Sequence, residues 1–254
     1  MNLIIQGENI AMPDLKHLAK LAGASAIEAI TPSAFRLCNA SAHADIPPFC
    51  EQAKLDFAFV PAERRLADMR LAVMDMDSTL VTIECIDEIA DMQGLKPQVA
   101  AITEAAMRGE LDYPQSLRER VALLKGLPAA ALKRVYDERV RLSPGAEIMT
   151  ARFRRLGIKT LLVSGGFTFF TERLRERLQL DWTRSNVLDI VDDKLTGLVR
   201  GEIVDADAKC QALLDRRNEL GIGREQIIGM GDGANDLKFM GECAVGIEIG
   251  RAHV

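Results

Sequence analysis

Residues 71–80, Leu-Ala-Val-Met-Asp-Met-Asp-Ser-Thr-Leu, decide what fold the rest of the chain has to build. The first four residues are apolar, a pattern that predicts a short strand buried on both faces of a parallel sheet. Asp75 and Asp77 follow at once, and ligands of open parallel sheets bind just beyond the carboxyl ends of the strands. Two neighbouring carboxylates repel each other unless a cation or a shared proton relieves them. An isolated Asp-x-Asp is more often an Asx-type turn, so the interpretation as a site depends on the rest of the chain.

Composition and charge limit the classes to which the protein can belong. The 254 residues are 48% hydrophobic and 27% charged, which is typical of a soluble globular protein with one large or two modest domains. The net charge of −5 gives no basic surface for nucleic acid or an anionic membrane. No stretch resembles a signal peptide or a membrane span. The five scattered cysteines and three histidines indicate neither a disulfide framework nor a zinc site, so we expect reduced thiols and a cytoplasmic location.

Residues 1–62 predict a small N-terminal α+β module. Apolar and polar patterning gives the order βαββαβ, which fits a ferredoxin-like module of the kind that includes amino-acid-binding (ACT-like) regulatory domains. The strands are predicted at 2–6, 26–30, 34–37 and 56–60, and the helices at 13–22 and 49–54. No residue here carries recognisable chemistry, so a structural role or dimerisation is favoured over effector binding, with a homodimer as the assembly to test. The charged segment that starts at Pro61 is the expected linker.

The remaining sequence predicts a doubly wound parallel, Rossmann-like sheet with a helical insertion. Residues 83–141 are helical in pattern and broken by Gly and Pro, and they follow the first strand of the core directly. An insertion at that point lies over the strand ends as a small cap. Residues 70–82 and 142–248 form the core, in which strands alternate with helices. A hairpin is expected around Asp192-Asp193.

Two further strand ends carry polar residues that complement the two aspartates. Ser164-Gly165-Gly166 offers a hydroxyl and free backbone N–H groups ahead of a helix, which suits a phosphate. The last predicted strand ends in a loop with Asp232, Asn235 and Asp236. Lys209, near the start of the preceding helix, could supply a compact positive charge. Residues 229–234 also satisfy the loose dinucleotide fingerprint, but an Asp inside that loop would face the pyrophosphate, so we reject that interpretation.

This inventory suits phosphoryl transfer. Asp75, Asp232 and the main-chain carbonyl of Asp77 offer hard oxygen ligands for Mg²⁺. Asp75 can attack phosphorus to give an aspartyl-phosphate, and Asp77 can act as general acid and base. The groups expected to hold the phosphoryl oxygens are Ser164, the Gly165 N–H and Lys209.

These segments resemble the four motifs of the haloacid dehalogenase (HAD) superfamily. The resemblance rests on Asp75–Leu80, Ser164-Gly165, Lys209 and Gly231–Asp236. Further segments are similar to the phosphoserine phosphatases of that superfamily, and the similarity runs from about Leu71 to about Gly246. Those segments are Glu84–Ala90, Ala106–Gly109, Ser116–Val121 and Leu162–Phe167.

The resemblance implies a Mg²⁺-dependent enzyme that hydrolyses the small molecule O-phospho-L-serine to L-serine, the last step of L-serine biosynthesis. It implies the nucleophile, acid/base, Mg²⁺ and phosphate roles given above. It further implies that Glu84 faces the substrate ammonium, that Arg120 faces its carboxylate and that Asn235 contacts the substrate. Met107 and Tyr113 match apolar positions that close over the substrate, and Asp236 is a secondary site residue.

Several alternatives stay open at this point. Met107 and Tyr113 could be ordinary cap packing, and Arg118 competes with Arg120. The substrate could be another small amine phosphate that lacks a carboxylate. Outside enzymes, a phospho-accepting receiver domain also carries aspartates at strand ends, although it has no helical cap.

The end of the sequence departs from the family pattern. Members usually continue through an Ala-Lys-Pro stretch, a strand and a terminal helix, whereas this chain ends Glu248-Ile-Gly-Arg-Ala-His-Val254. The codons of a common sequencing-library adapter would encode residues 249–254. We therefore expect these residues to be a non-native tail.

Overall fold

The computed structural model describes residues 1–250, which form two compact units divided after Asp68. Residues 251–254 lie outside the described residues, and with them most of the predicted non-native tail. Ile249, inside the described part, donates its N–H to Gly231 O at 2.9 Å.

The first unit is a four-stranded antiparallel sheet with two helices on one face. Its elements are β1 Asn2–Gln6, α1 Met12–Leu21, β2 Ala26–Thr31, β3 Ala34–Cys38, α2 Ile46–Ala53 and β4 Asp56–Val60. The strand order β2-β3-β1-β4, with every neighbouring pair antiparallel, is that of ferredoxin-like folds. Leu3 and Ile5 of the central strand are buried against Leu15 and Leu18 of α1. The alternation of apolar residues in β1 therefore sets which face the helices cover.

Helix α2 begins three residues earlier than the sequence indicated. The predicted start was Phe49, but the helix begins at Ile46 and includes Pro47 and Pro48. Proline is accepted there because the first N–H groups of a helix have no partner inside the helix.

The second unit is built on a six-stranded sheet within the described residues. Its strands are β5 Leu71–Met74, β6 Lys159–Phe167, β7 Trp182–Val191, β8 Lys194–Arg200, β9 Ile227–Gly231 and β10 Val245–Glu248. The order is β10-β9-β5-β6-β7-β8, in which β7 and β8 form the predicted hairpin and the other pairs are parallel. The helices of the core are α7 Ala146–Arg155, α8 Thr168–Leu178, α9 Ala206–Leu220 and α10 Leu237–Met240. The chain thus has the predicted α/β fold with a mostly parallel sheet.

Strand β5 lies at the centre of this sheet, as its composition requires. Leu71, Ala72, Val73 and Met74 are completely buried, because β6 and β9 flank the strand and apolar clusters cover both faces. The Asp75 N–H still donates to Met230 O at 2.9 Å. The ladder therefore delivers Asp75 at the carboxyl edge of the sheet.

The insertion after β5 is helical. Its helices are α3 Cys85–Asp91, α4 Lys96–Met107, α5 Tyr113–Ala122 and α6 Ala130–Glu138. Its two connections to the core run side by side, joined by a bridge between Val81 and Leu142. On another side the cap is tied to the hairpin, where Gly126 N–H donates to Leu195 O and Leu195 N–H to Leu127 O, both at 2.8 Å.

No helix within residues 1–250 combines the length and the apolarity that crossing a bilayer would take.

Candidate active site

The turn after β5 brings two carboxyl groups into one small cavity. The Asp75 side chain accepts the Met76 N–H at 2.7 Å, and the Val81 N–H closes the turn on Met76 O at 2.9 Å. Ser78, at φ 53°, supplies the left-handed residue that lets the chain reverse so tightly. Asp75 and Asp77 both line the cavity below the cap.

The cavity has a volume of about 150 Å³ and combines charged groups from the core and the cap. Its lining residues are Asp75, Asp77, Glu84, Ile86, Tyr113, Leu117, Arg120, Gly165, Gly166, Phe167, Asp232 and Asn235. A larger groove of about 790 Å³ beside β7 and α9 is lined by charges of both signs. Converging acidic, basic and backbone groups mark the smaller cavity as the candidate site.

Lys209 lies buried between two aspartates beneath this cavity. Its Nζ is 3.0 Å from Asp75 Oδ1 and 2.8 Å from Asp236 Oδ1, and the residue is only 1% exposed. Burial disfavours the ammonium, but the charges of Asp75 and Asp236 together outweigh it and raise the pKa of Lys209. Asp205 caps the start of α9 by accepting the Ala208 N–H at 2.9 Å, which fixes the helix that carries Lys209.

Asp236 also organises the loop after β9. Its Oδ2 accepts the N–H groups of Asp232 and Gly233 at 3.2 and 3.4 Å. A Cβ on Gly231 would lie 2.4 Å from that oxygen, so only glycine allows so close an approach. This loop is thereby folded back toward Asp75.

Three carboxylates meet at the carboxyl edge of the sheet and suit a divalent cation. One oxygen each of Asp75, Asp232 and Asp236 lies within 4.8 Å of the others. Hard oxygen donors grouped in this way are the ligands that Mg²⁺ and similar ions prefer, so the donor set fits the expected metal. Thr79 Oγ1 donates to Asp232 Oδ1 at 2.9 Å and orients that carboxylate.

The two aspartates of the turn differ in their surroundings. Burial raises the pKa of Asp75 to about 7, and Lys209 limits that rise. Burial, followed by the charge of Glu84, raises the pKa of Asp77 to about 8. Asp77 also accepts the Cys85 N–H at 3.1 Å. Without a cation nearby, these surroundings favour the protonated form of Asp77.

Glu84 enters the site from the first residues of the cap. Ser78 Oγ donates to its Oε1 at 2.6 Å, and burial raises the pKa of the Glu84 carboxyl. Arg120 comes from α5 and lines the same cavity, while its Nε donates to Ser116 O at 3.3 Å. Arg118, the competing arginine, is exposed on the other side of the helix.

The end of β6 is held by hydrogen bonds on several sides. Ser164 is fully buried, and its Oγ accepts the Gly166 N–H at 2.8 Å. Gly165 O accepts the Tyr113 hydroxyl at 3.0 Å and Asn186 Nδ2 at 2.8 Å. A Cβ on Gly165 would lie 2.0 Å from the Tyr113 hydroxyl oxygen, so glycine is what lets the cap tyrosine reach the strand.

The structure brings together all but one of the predicted site residues. Ser164, Lys209 and Asp236 are buried next to the cavity, and the others line it. Met107 is the exception, because it does not line the cavity, and its closure over the substrate stays a prediction. It is the last residue of α4 and is 84% exposed.

Sequence reasoning missed two polar residues of the site. Thr79 follows Asp77 by two positions, and a hydroxyl so close to the two aspartates could have been predicted to contact the site. Asn186 lies inside β7, where nothing in the local pattern separates it from an ordinary strand residue.

Comparisons with known proteins agree with this geometry. A family model described as haloacid dehalogenase-like hydrolase matches residues 72–241, and a model for a domain of unknown function matches residues 3–46. A protein of Polaromonas sp. named phosphoserine phosphatase is 54% identical over 188 residues, 72% of this chain and 80% of its own length.

Solved structures show the same similarity. A HAD family hydrolase from Salmonella enterica serovar Typhi superposes with a TM-score of 0.87 at 32% identity, covering 97% of this chain and 88% of the other. A substrate-bound phosphoserine phosphatase complex superposes with a TM-score of 0.66 at 37% identity, covering 73% of this chain and 87% of the other. The matching motifs, the capped parallel sheet and these relatives lead to one conclusion: the chain belongs to the haloacid dehalogenase-like hydrolases.

Proposed function

We propose that the chain is a Mg²⁺-dependent phosphatase that hydrolyses O-phospho-L-serine to L-serine and inorganic phosphate, the last step of L-serine biosynthesis. The observation that carries this proposal is the cavity that joins two aspartates of the core to Glu84 and Arg120 of the cap. O-Phosphoserine has a phosphate, an ammonium and a carboxylate, which these groups complement. The names of the Polaromonas relative and of the substrate-bound structure support the same substrate.

Asp75 is the proposed nucleophile. One of its oxygens attacks phosphorus, the bond to the serine oxygen breaks, and its electron pair stays on that oxygen. Lys209, 3.0 Å from Asp75 Oδ1, favours the ionised form that this attack needs.

Asp77 is the proposed general acid and base. Its pKa of about 8 supports a protonated carboxyl at neutral pH, ready to protonate the leaving serine oxygen. The resulting carboxylate then takes a proton from the water that attacks the aspartyl-phosphate. The P–O bond to Asp75 breaks, phosphate leaves, and both aspartates return to their starting forms.

The acidic cluster is the proposed metal site. Asp75, Asp232 and Asp236, whose oxygens lie within 4.8 Å of one another, would hold the cation, and the Asp77 main-chain carbonyl remains a further predicted ligand. When bound, Mg²⁺ would neutralise these carboxylates and orient the phosphoryl group.

The end of β6 and Lys209 are the proposed phosphate cradle. Because Ser164 Oγ already accepts the Gly166 N–H, its own O–H remains to donate to a phosphoryl oxygen. The Gly165 N–H and the Lys209 ammonium would add further donors as charge shifts in the transition state. Asn235, at the rim of the cavity, is the proposed further substrate contact.

Substrate choice is proposed to lie in the cap. Glu84 would meet the ammonium and Arg120 the carboxylate, and Tyr113 would close the cavity over both. An amine phosphate without a carboxylate would leave the half-buried Arg120 guanidinium without a substrate carboxylate as its partner in the cavity, which disfavours that alternative substrate.

A phosphate-release screen tests the proposal. The substrates are phosphoserine, phosphothreonine, phosphoethanolamine and homoserine phosphate, each with Mg²⁺ and with a chelator. We expect phosphoserine to be hydrolysed fastest, and only with the metal. Folded protein that releases phosphate from phosphoethanolamine faster than from phosphoserine would overturn the assignment. A cytoplasmic location and a homodimer stay predictions.

A further inference from the structure

One buried amide joins the end of β6, on one side of the proposed phosphate cradle, to the segment before α9, and it does not line the cavity. Asn186 lies in β7 and is 1% exposed. Its Nδ2 donates to Gly165 O at 2.8 Å, and its Oδ1 accepts the Val204 N–H at 2.8 Å. The side chain thus joins the end of β6 to the segment that leads into α9.

The two hydrogen-bond partners of Asn186 require a side chain that both donates and accepts. Gly165 O requires a donor and the Val204 N–H requires an acceptor, and a neutral amide offers both in one plane. These backbone partners also fix which way the amide faces. A carboxylate of the same shape would set an acceptor against the Gly165 carbonyl.

The first bond controls the hydroxyl of Ser164. The peptide unit between Gly165 and Gly166 is planar, so holding its carbonyl also aims its N–H. That N–H donates to Ser164 Oγ at 2.8 Å, and the O–H of Ser164 is then left for a ligand. Asn186 therefore acts on the β6 side of the cradle through one rigid peptide.

The second bond controls the start of α9. Val204 precedes Asp205, whose side chain caps the helix, and Lys209 follows on its first turn. Lys209 Nζ reaches Asp75 Oδ1 at 3.0 Å. A shift of Val204 would consequently move the lysine relative to Ser164.

We infer that Asn186 is a positioning residue that sets the separation between the two sides of the phosphate cradle, Ser164–Gly166 on β6 and Lys209 on α9. The inference rests on the proposed function, since it assumes that these groups bind phosphate. Within residues 1–250, the side-chain hydrogen bonds of Asn186 go to Gly165 and Val204 and not to the cap residues Glu84 and Arg120. Replacing Asn186 should weaken the binding of phosphate. It should leave unchanged the part of the cavity near Glu84 and Arg120, which is proposed to bind the amino-acid part of the substrate.

The test measures the two ends of the cavity separately. Calorimetry gives the affinity of Asn186→Asp and Asn186→Ser for inorganic phosphate and for L-serine, each with Mg²⁺. We expect phosphate affinity to fall about tenfold or more, the effect of about 1.4 kcal/mol. Serine affinity should change by less than about twofold.

Ser185→Ala is the matched control. Ser185 is the preceding residue of β7, is also buried, and shares a 2.8 Å hydrogen bond with Thr171 of α8. We expect a lower melting temperature with unchanged phosphate affinity. Unchanged phosphate affinity in a folded Asn186 variant, or equal weakening of phosphate and serine, would overturn the inference. Binding of inorganic phosphate does not require phosphoserine to be the substrate, so the release screen tests the proposed function independently.

Discussion

At the scale of single residues, two aspartates separated by one methionine have been given different surroundings. Asp75 faces the buried ammonium of Lys209, whereas Asp77 faces the acidic Glu84. Burial raises the pKa of both carboxyls, but Lys209 limits the rise at Asp75 whereas the charge of Glu84 adds to the rise at Asp77. Pairs of titratable groups separated in this way are how acid and base roles are assigned in many hydrolases.

The place of Arg120 in the cavity leads us to expect a substrate that carries a carboxylate. Because Arg120 lines the cavity and Arg118 is exposed, Arg120→Met should lower kcat/KM for phosphoserine about 10- to 100-fold, the cost of losing a charged hydrogen bond. Arg118→Met is the matched control and should behave as wild type. Activity on phosphoethanolamine, which has no carboxylate, should not fall in either variant. Equal losses on both substrates in Arg120→Met would contradict the carboxylate role.

At the scale of elements, the end of β6 is where strand, cap and neighbouring strand meet. Pairing with β7 is interrupted between Val163 and Phe167, and the freed backbone of Gly165 takes hydrogen bonds from Tyr113 and Asn186 instead. The absence of a side chain at Gly165 is what allows α5 to close over the sheet edge.

A pair of substitutions tests this closure. Gly165→Ala should lower kcat/KM about 100-fold, since a Cβ 2.0 Å from the Tyr113 hydroxyl oxygen displaces the cap from its working position. Adding Tyr113→Phe removes the clashing oxygen and should restore part of the loss, measured as phosphate release. If the double variant is no better than Gly165→Ala, contact with Tyr113 is not the cause.

Much of the fold and the site follows from local pattern. The polar residues at the ends of β5, β6 and β9 meet because parallel strands present their carboxyl ends at one edge. Strand β10 was not predicted, because its four residues Val245–Glu248 show no clear alternation of apolar and polar residues. Pairing with β9 places them in the sheet. The role of Asn186 and the exposure of Met107 depend on the tertiary structure, which no spacing along the chain encodes.

At the scale of the whole second unit, the two buried aspartates Asp75 and Asp77 make the free energy of unfolding depend on pH. Asp75 and Asp77 have a usual pKa of 3.8 and folded values of about 7 and 8, so the folded state binds more protons than the unfolded state in between. The stabilisation from those protons is complete below the unfolded value and is lost as the pH rises through the folded values.

Urea unfolding of metal-free protein should therefore show a lower free energy of unfolding at pH 8.5 than at pH 5.5, by at most about 1.4 kcal/mol per pH unit for each group. Asp77→Asn should flatten this dependence. Mg²⁺ should restore stability mainly at pH 8.5, because it binds the ionised carboxylates. Metal-free protein that gains stability with rising pH would contradict the burial of these groups.

Asp75 is proposed to carry the phosphoryl group during hydrolysis of phosphoserine. Rapid acid quenching during turnover, followed by mass spectrometry of the peptide that contains residues 71–80, tests it most directly. Wild-type protein with phosphoserine and Mg²⁺ should show the mass of one added phosphoryl group on Asp75, and Asp75→Asn should show neither that adduct nor phosphate release. Undiminished phosphate release by folded Asp75→Asn would contradict the account.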